Sequence, residues 1–138
     1  LRIPGIYGRE RLPLDRLKRG LPRLAAPHDV FTNHVEISDL ARIVHKAVWR
    51  GLAQRVIHAA DGEELRMGDY RDAVADAAGL PRPPAGSPED VQAAVSPMMW
   101  TFMRESRRLR NERLRRELGV TLRYPRVADA LKAWYAAP

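Results

Sequence analysis

The side chains with most chemistry to offer are arginines, and they gather in two places. Arg9 and Arg11 follow a Gly/Pro turn, and Arg107, Arg108, Arg110, Arg113, Arg115 and Arg116 place six guanidinium groups within ten residues. A guanidinium suits carboxylate or phosphate recognition because its planar fork donates parallel hydrogen bonds. On a helix, the second run would cover most of the circumference, with Leu109, Leu114 and Leu118 as a thin apolar seam. It reads as a solvated face; a phosphate grip is the functional alternative. His28, His34, His45 and His58 lack the i, i+4 pairing of a helical metal site, so packing or surface roles are expected for each and no metal site is assigned. Met98, Met99, Trp100, Phe102 and Met103 form an apolar cluster suited to a core, or to a lid against a substrate.

Composition bounds these options. The 138 residues suffice for one ordinary domain, and 45% hydrophobic with 30% charged residues is globular rather than disordered. No apolar run is long enough to span a membrane, and the first residues carry no apolar secretory segment. The absence of cysteine excludes disulfides and thiolate metal sites and fits a cytoplasmic location. The net charge of +7 comes almost wholly from arginine: of 24 basic residues, only Lys18, Lys46 and Lys132 are lysine. With abundant alanine, that ratio reads as GC-rich coding bias rather than as a nucleic-acid surface. The chain begins with leucine, as a fragment or a processed chain would.

The elements that must position these residues alternate between strand and helix at first. Residues 2–8 read as a short strand entering a Gly/Pro turn, and a short helix over 13–20 follows. Residues 29–37 are rich in β-branched and aromatic types and suggest a second extended segment. The clearest helix starts with Ser38 as N-cap and Asp39 in the first turn, with Leu40, Ile43, Val44, Ala47 and Val48 on one face and Gly51 as its stop. Residues 55–60 are a strand candidate closed by an Asp61-Gly62 turn, and a helix runs over 67–78 to Gly79. Residues 80–90 are a proline-rich loop, followed by helical stretches at 89–104, 111–118 and 126–135. The first 78 residues therefore argue α/β, and the rest is mostly helical. Two or three strands are few for a parallel sheet, so the chain reads as part of a domain.

Four segments in order resemble the second half of extended short-chain dehydrogenases/reductases, the NAD-dependent epimerase/dehydratase family. They are Leu1-Arg2-Ile3-Pro4-Gly5-Ile6-Tyr7-Gly8; Asn33-His34-Val35-Glu36-Ile37-Ser38-Asp39-Leu40-Ala41-Arg42; Val56 to Glu64 continuing to Tyr70; and Ser106 to Leu114 with Glu117-Leu118-Gly119 and Arg123-Tyr124-Pro125. The resemblance implies an α/β fold: the last strands of an NAD(P)-binding Rossmann-type fold over residues 1–79, and a small, mostly helical substrate-binding lid over 80–138. It implies NAD or NADP as cofactor, bound mainly by a missing N-terminal half, with Pro4, Gly5 and Ile6 beside the nicotinamide. It places Arg9, Arg11 and Glu36 on the substrate side and a small molecule as substrate. Sugar-nucleotide members often carry Asn where Gly5 stands, which argues against that substrate.

The family's working parts are absent from the chain. Gly5 and Gly8 make the first steps of a Gly-x-x-Gly-x-x-Gly turn, but Arg11 occupies the third position. No tyrosine heads a Tyr-x-x-x-Lys pair: Arg11, Val74 and Ala128 stand four residues after Tyr7, Tyr70 and Tyr124. No catalytic residue is assigned, and by itself the chain is not expected to carry out hydride chemistry. Its expected partner is the missing half or a second copy. A truncated protein-interaction module and a basic nucleic-acid-binding module are the rival functions.

Overall fold

The computed structural model describes residues 1–136. Its strands are short and fall into three separate pairs. Strand β1 (Gly5–Tyr7) runs parallel to β4 (His34–Glu36), β2 (Arg23–Leu24) runs parallel to β6 (Ala85–Gly86), and β3 (Phe31–Thr32) is antiparallel to β5 (Leu65–Arg66). The helices are α1 (Leu14–Lys18), α2 (Ile37–Arg50), α3 (Met67–Ala77), α4 (Pro88–Ala94), α5 (Pro97–Met103), α6 (Glu112–Arg116) and α7 (Val127–Tyr135). Single turns of 3₁₀ helix occupy Arg9–Arg11 and Ala26–His28. Among the described residues no helix is long and apolar enough to cross a membrane.

The mixed α/β class expected from sequence is present, with local corrections. Residues 55–60 gain one parallel bridge, His58 against Arg2, rather than a strand ladder. Arg2 donates to Ile57 O at 2.9 Å and accepts from Ala59 N–H at 2.8 Å; two residues later Pro4 has no N–H with which to extend the ladder. The helix expected over 89–104 is two helices. Pro97 disfavours helical backbone at the residue before it, and Ser96 is extended, with its hydroxyl capping Met99 N–H at 3.3 Å. The arginine run is helical only over Glu112–Arg116. Its guanidiniums go separate ways: Arg107 pairs with Glu105, Arg108 with Glu64 at 3.3 Å, and Arg113 bonds Val56 O at 2.9 Å.

Helix α2 begins two residues earlier than expected, and its cap is Glu36 rather than Ser38. The Glu36 carboxylate accepts from Ser38 N–H at 2.8 Å and from Asp39 N–H at 3.1 Å, satisfying donors that the first helical turn leaves free. The longer side chain reaches forward from the end of β4, so strand and helix join without a loop. Asp39 is buried and turns toward the C-terminal part of the chain. It accepts from Arg123 N–H at 2.9 Å and Tyr124 N–H at 2.8 Å, with Arg42 at 3.0 Å as counter-charge.

Three apolar cores result. Tyr7, Leu12, Leu17, Tyr70, Val74, Ala75, Val127, Ala130 and Leu131 join β1, α1, α3 and α7. Val35, Ile43, Ile57, Ala59, Leu114, Leu118 and Val120 join β4, α2 and α6. Leu24, Val91 and Met103 bring α4 and α5 against β2. The first two cores draw on residues from both sides of the proline-rich loop. Gly119 ends the α6 segment at φ +62°, a conformation that glycine adopts without strain.

Asp39→Ala should therefore be costly out of proportion to its size. It strands two backbone donors, and a loss of roughly 3 kcal/mol is expected from urea denaturation. A loss below roughly 0.5 kcal/mol would show that residues 123–124 are held by other contacts.

Candidate functional site

The starts of β1 and β4, with the residues that lead into them, form the floor of a cleft of about 1360 Å³. Its walls come from the 3₁₀ turn and α1, from α3, and from α5 with the segment after it. Pro4, Gly5 and Ile6 line it, and so does Arg11. Arg9 and Glu36 are not among its lining residues: Arg9 is exposed, and Glu36 is buried at the head of α2. The structure thus brings four of the six expected site residues together at one opening.

At Gly5 the backbone of one strand passes close to the next. A Cβ there would lie 3.2 Å from Asn33 O and 3.2 Å from His34 Cδ2. A side chain at this position would push against both, so glycine lets β1 and β4 run this close.

Behind the floor stands an aromatic stack whose function the sequence did not disclose. The His34 ring lies over Tyr70 at 4.2 Å, and Tyr7 meets His34 edge-on at 6.0 Å. Burial pushes His34 down to about 4, so at neutral pH its ring is uncharged. Burial raises Tyr70 to about 12, with the nearby positive Arg16 opposing the rise. Tyr7 is likewise raised by burial, with Asp61 and Glu36 adding to the effect. The cleft is therefore backed by neutral aromatic groups, and neither Tyr7 nor Tyr70 is poised as a phenolate near pH 7.

Four buried polar atoms have no partner among the described residues: Tyr7 Oη, Asn33 Oδ1, Asp61 Oδ2 and Arg71 Nε. Asn33 and Arg71 belong to residues lining the cleft. Arg71 was missed in the sequence because nothing separates one buried arginine from 20 others without the fold. Asn33 was visible only as a member of a motif.

Two solved structures share this fold. A conserved protein of unknown function from Silicibacter pomeroyi DSS is 33% identical, with a TM-score of 0.82 over 98% of this chain and 47% of that chain. The human epimerase family protein SDR39U1 (isoform 2), solved with NADPH, is 20% identical, with a TM-score of 0.77 over 96% of this chain and 46% of that chain. The chain carries about half of an epimerase-family fold. It spans about half the length of both solved relatives. No family model matches the sequence, and no curated protein does. The epimerase-type half is recognised by its backbone path, which is why order and spacing of segments revealed it when no single motif did.

Asp61, at the turn expected after residue 60, supplies a pH test of this packing. Burial raises its carboxyl to about 7 from 3.8; the Glu63 N–H opposes the rise and the Glu63 carboxylate adds to it. The folded state therefore holds this proton more tightly than the unfolded state, and stability falls as pH climbs from about 4 to about 7. Asp61→Asn removes that slope. Above pH 7 the variant should be more stable by on the order of 3 kcal/mol, with the gain vanishing near pH 4 in denaturation curves. A difference independent of pH would contradict the burial of an ionisable group here.

Proposed function

We propose that this chain is the C-terminal, substrate-side half of an NAD(P)-dependent enzyme of the epimerase/dehydratase/reductase type. The observation that carries the reading is the cleft floor. Pro4, Gly5 and Ile6 line it at the start of a parallel strand, in a fold that matches 96% of this chain to a protein solved with NADPH. Bound there, a nicotinamide would give or take a hydride. The chain's own residues would present the Pro4–Ile6 backbone to the ring, keep water away with the His34–Tyr70 stack, and meet the substrate through Arg11. Arg9 would act from the rim. Glu36 would act through the fold, by fixing where β4 ends and α2 starts.

A half of a domain should expose apolar surface where its other half belongs. Helix α2 does so: Ile37, Val44 and Val48 follow a helical stripe, Trp49 beside them is 77% exposed, and Leu52 just past the helix is exposed as well. Leu1, Ile3 and Val56 are exposed apolar residues around the bridge of Arg2 to His58. The missing half would bring the glycine-rich turn and the Tyr-x-x-x-Lys pair that this chain lacks, leaving it inactive alone.

The same stripe supports a second reading, a truncated interaction module that binds another protein or a second copy of itself. Calorimetry with NAD(H) and NADP(H) separates the two. The 138-residue chain alone should bind weakly or not at all, and the protein carrying the preceding half should bind one equivalent. Tight stoichiometric binding by the chain alone, or none by the longer protein, would contradict the proposed function.

A further inference from the structure

The cleft is lined by six arginines, Arg2, Arg11, Arg16, Arg19, Arg71 and Arg107, against two carboxylates, Asp15 and Glu105. Glu105 is already occupied by Arg107. The imbalance is sharpest between α1 and α3. Arg71 is only 6% exposed, and its terminal nitrogens donate to Leu21 O and Pro22 O, each at 2.8 Å. Carbonyl oxygens hold the guanidinium in place without neutralising it. The nearby carboxylate, Asp72, is taken by Arg23 in a two-pronged pair at 3.0 and 3.1 Å. Arg16 has no carboxylate in salt-bridge range among the described residues, and its guanidinium rests on Met99 Sδ at 3.2 Å, a weak acceptor.

Two cations are thus held near one another with no anion between them. Burial lowers the Arg71 pKa and the positive charges of Arg16 and Arg23 lower it further, with Asp72 opposing the fall. Such an arrangement is unfavourable unless something negative joins it. The apolar side of the same cleft is formed by Leu12, Leu21, Val95, Met99, Phe102 and Met103. Phe102, which lines the cleft, is 63% exposed.

We infer that Arg16 and Arg71 form an oxyanion subsite, and that the substrate is a small molecule bearing a carboxylate or phosphate on an apolar body laid against Met99, Phe102 and Met103. The inference rests on the proposed function for its term substrate; the binding of the anion itself stands on the cleft alone. The two guanidiniums are cationic donors matched to negative oxygen rather than to an uncharged hydroxyl.

The test uses the protein at its full native length, titrated by calorimetry with octanoate, octyl phosphate and octanamide, and separately with NADPH. At least one of the two anions should bind tenfold or more tightly than octanamide, and the stronger one identifies the head group. Arg16→Gln, a change at an exposed side chain, should weaken that anion about tenfold and leave NADPH affinity unaltered. Arg71→Lys, which keeps the charge but not the fork, should weaken it as well. Equal binding of octanoate, octyl phosphate and octanamide, or anion affinity unmoved by Arg16→Gln, overturns the subsite. If the anion binds as described and NADPH does not, the subsite stands and the oxidoreductase reading fails.

Discussion

Two buried carboxylates at the head of one helix hold this molecule together. Glu36 closes the first turn of α2 and Asp39, three residues on, takes the backbone donors of Arg123 and Tyr124. Acids are favoured at a helix N-terminus by the unpaired N–H groups and the dipole, and these two find hydrogen bonds as well. The consequences run in both directions along the chain. Upstream, β4 is fixed against β1, with Gly5 N–H donating to Asn33 O at 3.1 Å and His34 O accepting Asp61 N–H at 2.8 Å. Downstream, residues 123–124 are pinned so that α7 starts beside α3 and closes the first core. Without this node the cleft would lose its floor and its aromatic backing together.

The cleft inherits its chemistry from that arrangement. The segment Asn33 to Glu36 supplies a buried amide, a neutral imidazole and a helix cap from four consecutive residues, while α1 and α3 bring guanidiniums to the opposite wall. A polar group held this way is expensive to bury and restricts what can enter. The proposed anion subsite rests on that positive wall and on the apolar side chains beside it.

Much of this could be read in the sequence, for physical reasons that also mark the limits. Helix α2 was legible because its apolar period and Gly51 stop are local, as was α3 before Gly79. The cap was not, since Glu36 and Ser38 are both able to accept from N–H groups and only the approach of β4 selects the longer side chain. The break at Ser96-Pro97 carried its signal in the open, and helical periodicity across it hid the signal. Strand 55–60 looked sound by composition, yet a strand is made by its partner, and the partner is interrupted at Pro4. Pro4, Gly5, Ile6 and Arg11 reached the cleft because turn residues and their immediate successors are positioned locally. Arg16 and Arg71 could not be singled out among the chain's arginines, since what distinguishes them is which carboxylates are missing from their surroundings.

The central proposal is that this chain is one half of an enzyme whose other half comes before it. The most direct measurement is the intact mass and N-terminal sequence of the native product, read together with the coding frame ahead of Leu1. A product about twice as long, with a glycine-rich turn and a Tyr-x-x-x-Lys pair upstream, is the predicted result. A native product that starts at Leu1 would contradict the claim and leave the exposed face of α2 as the binding surface of an interaction module.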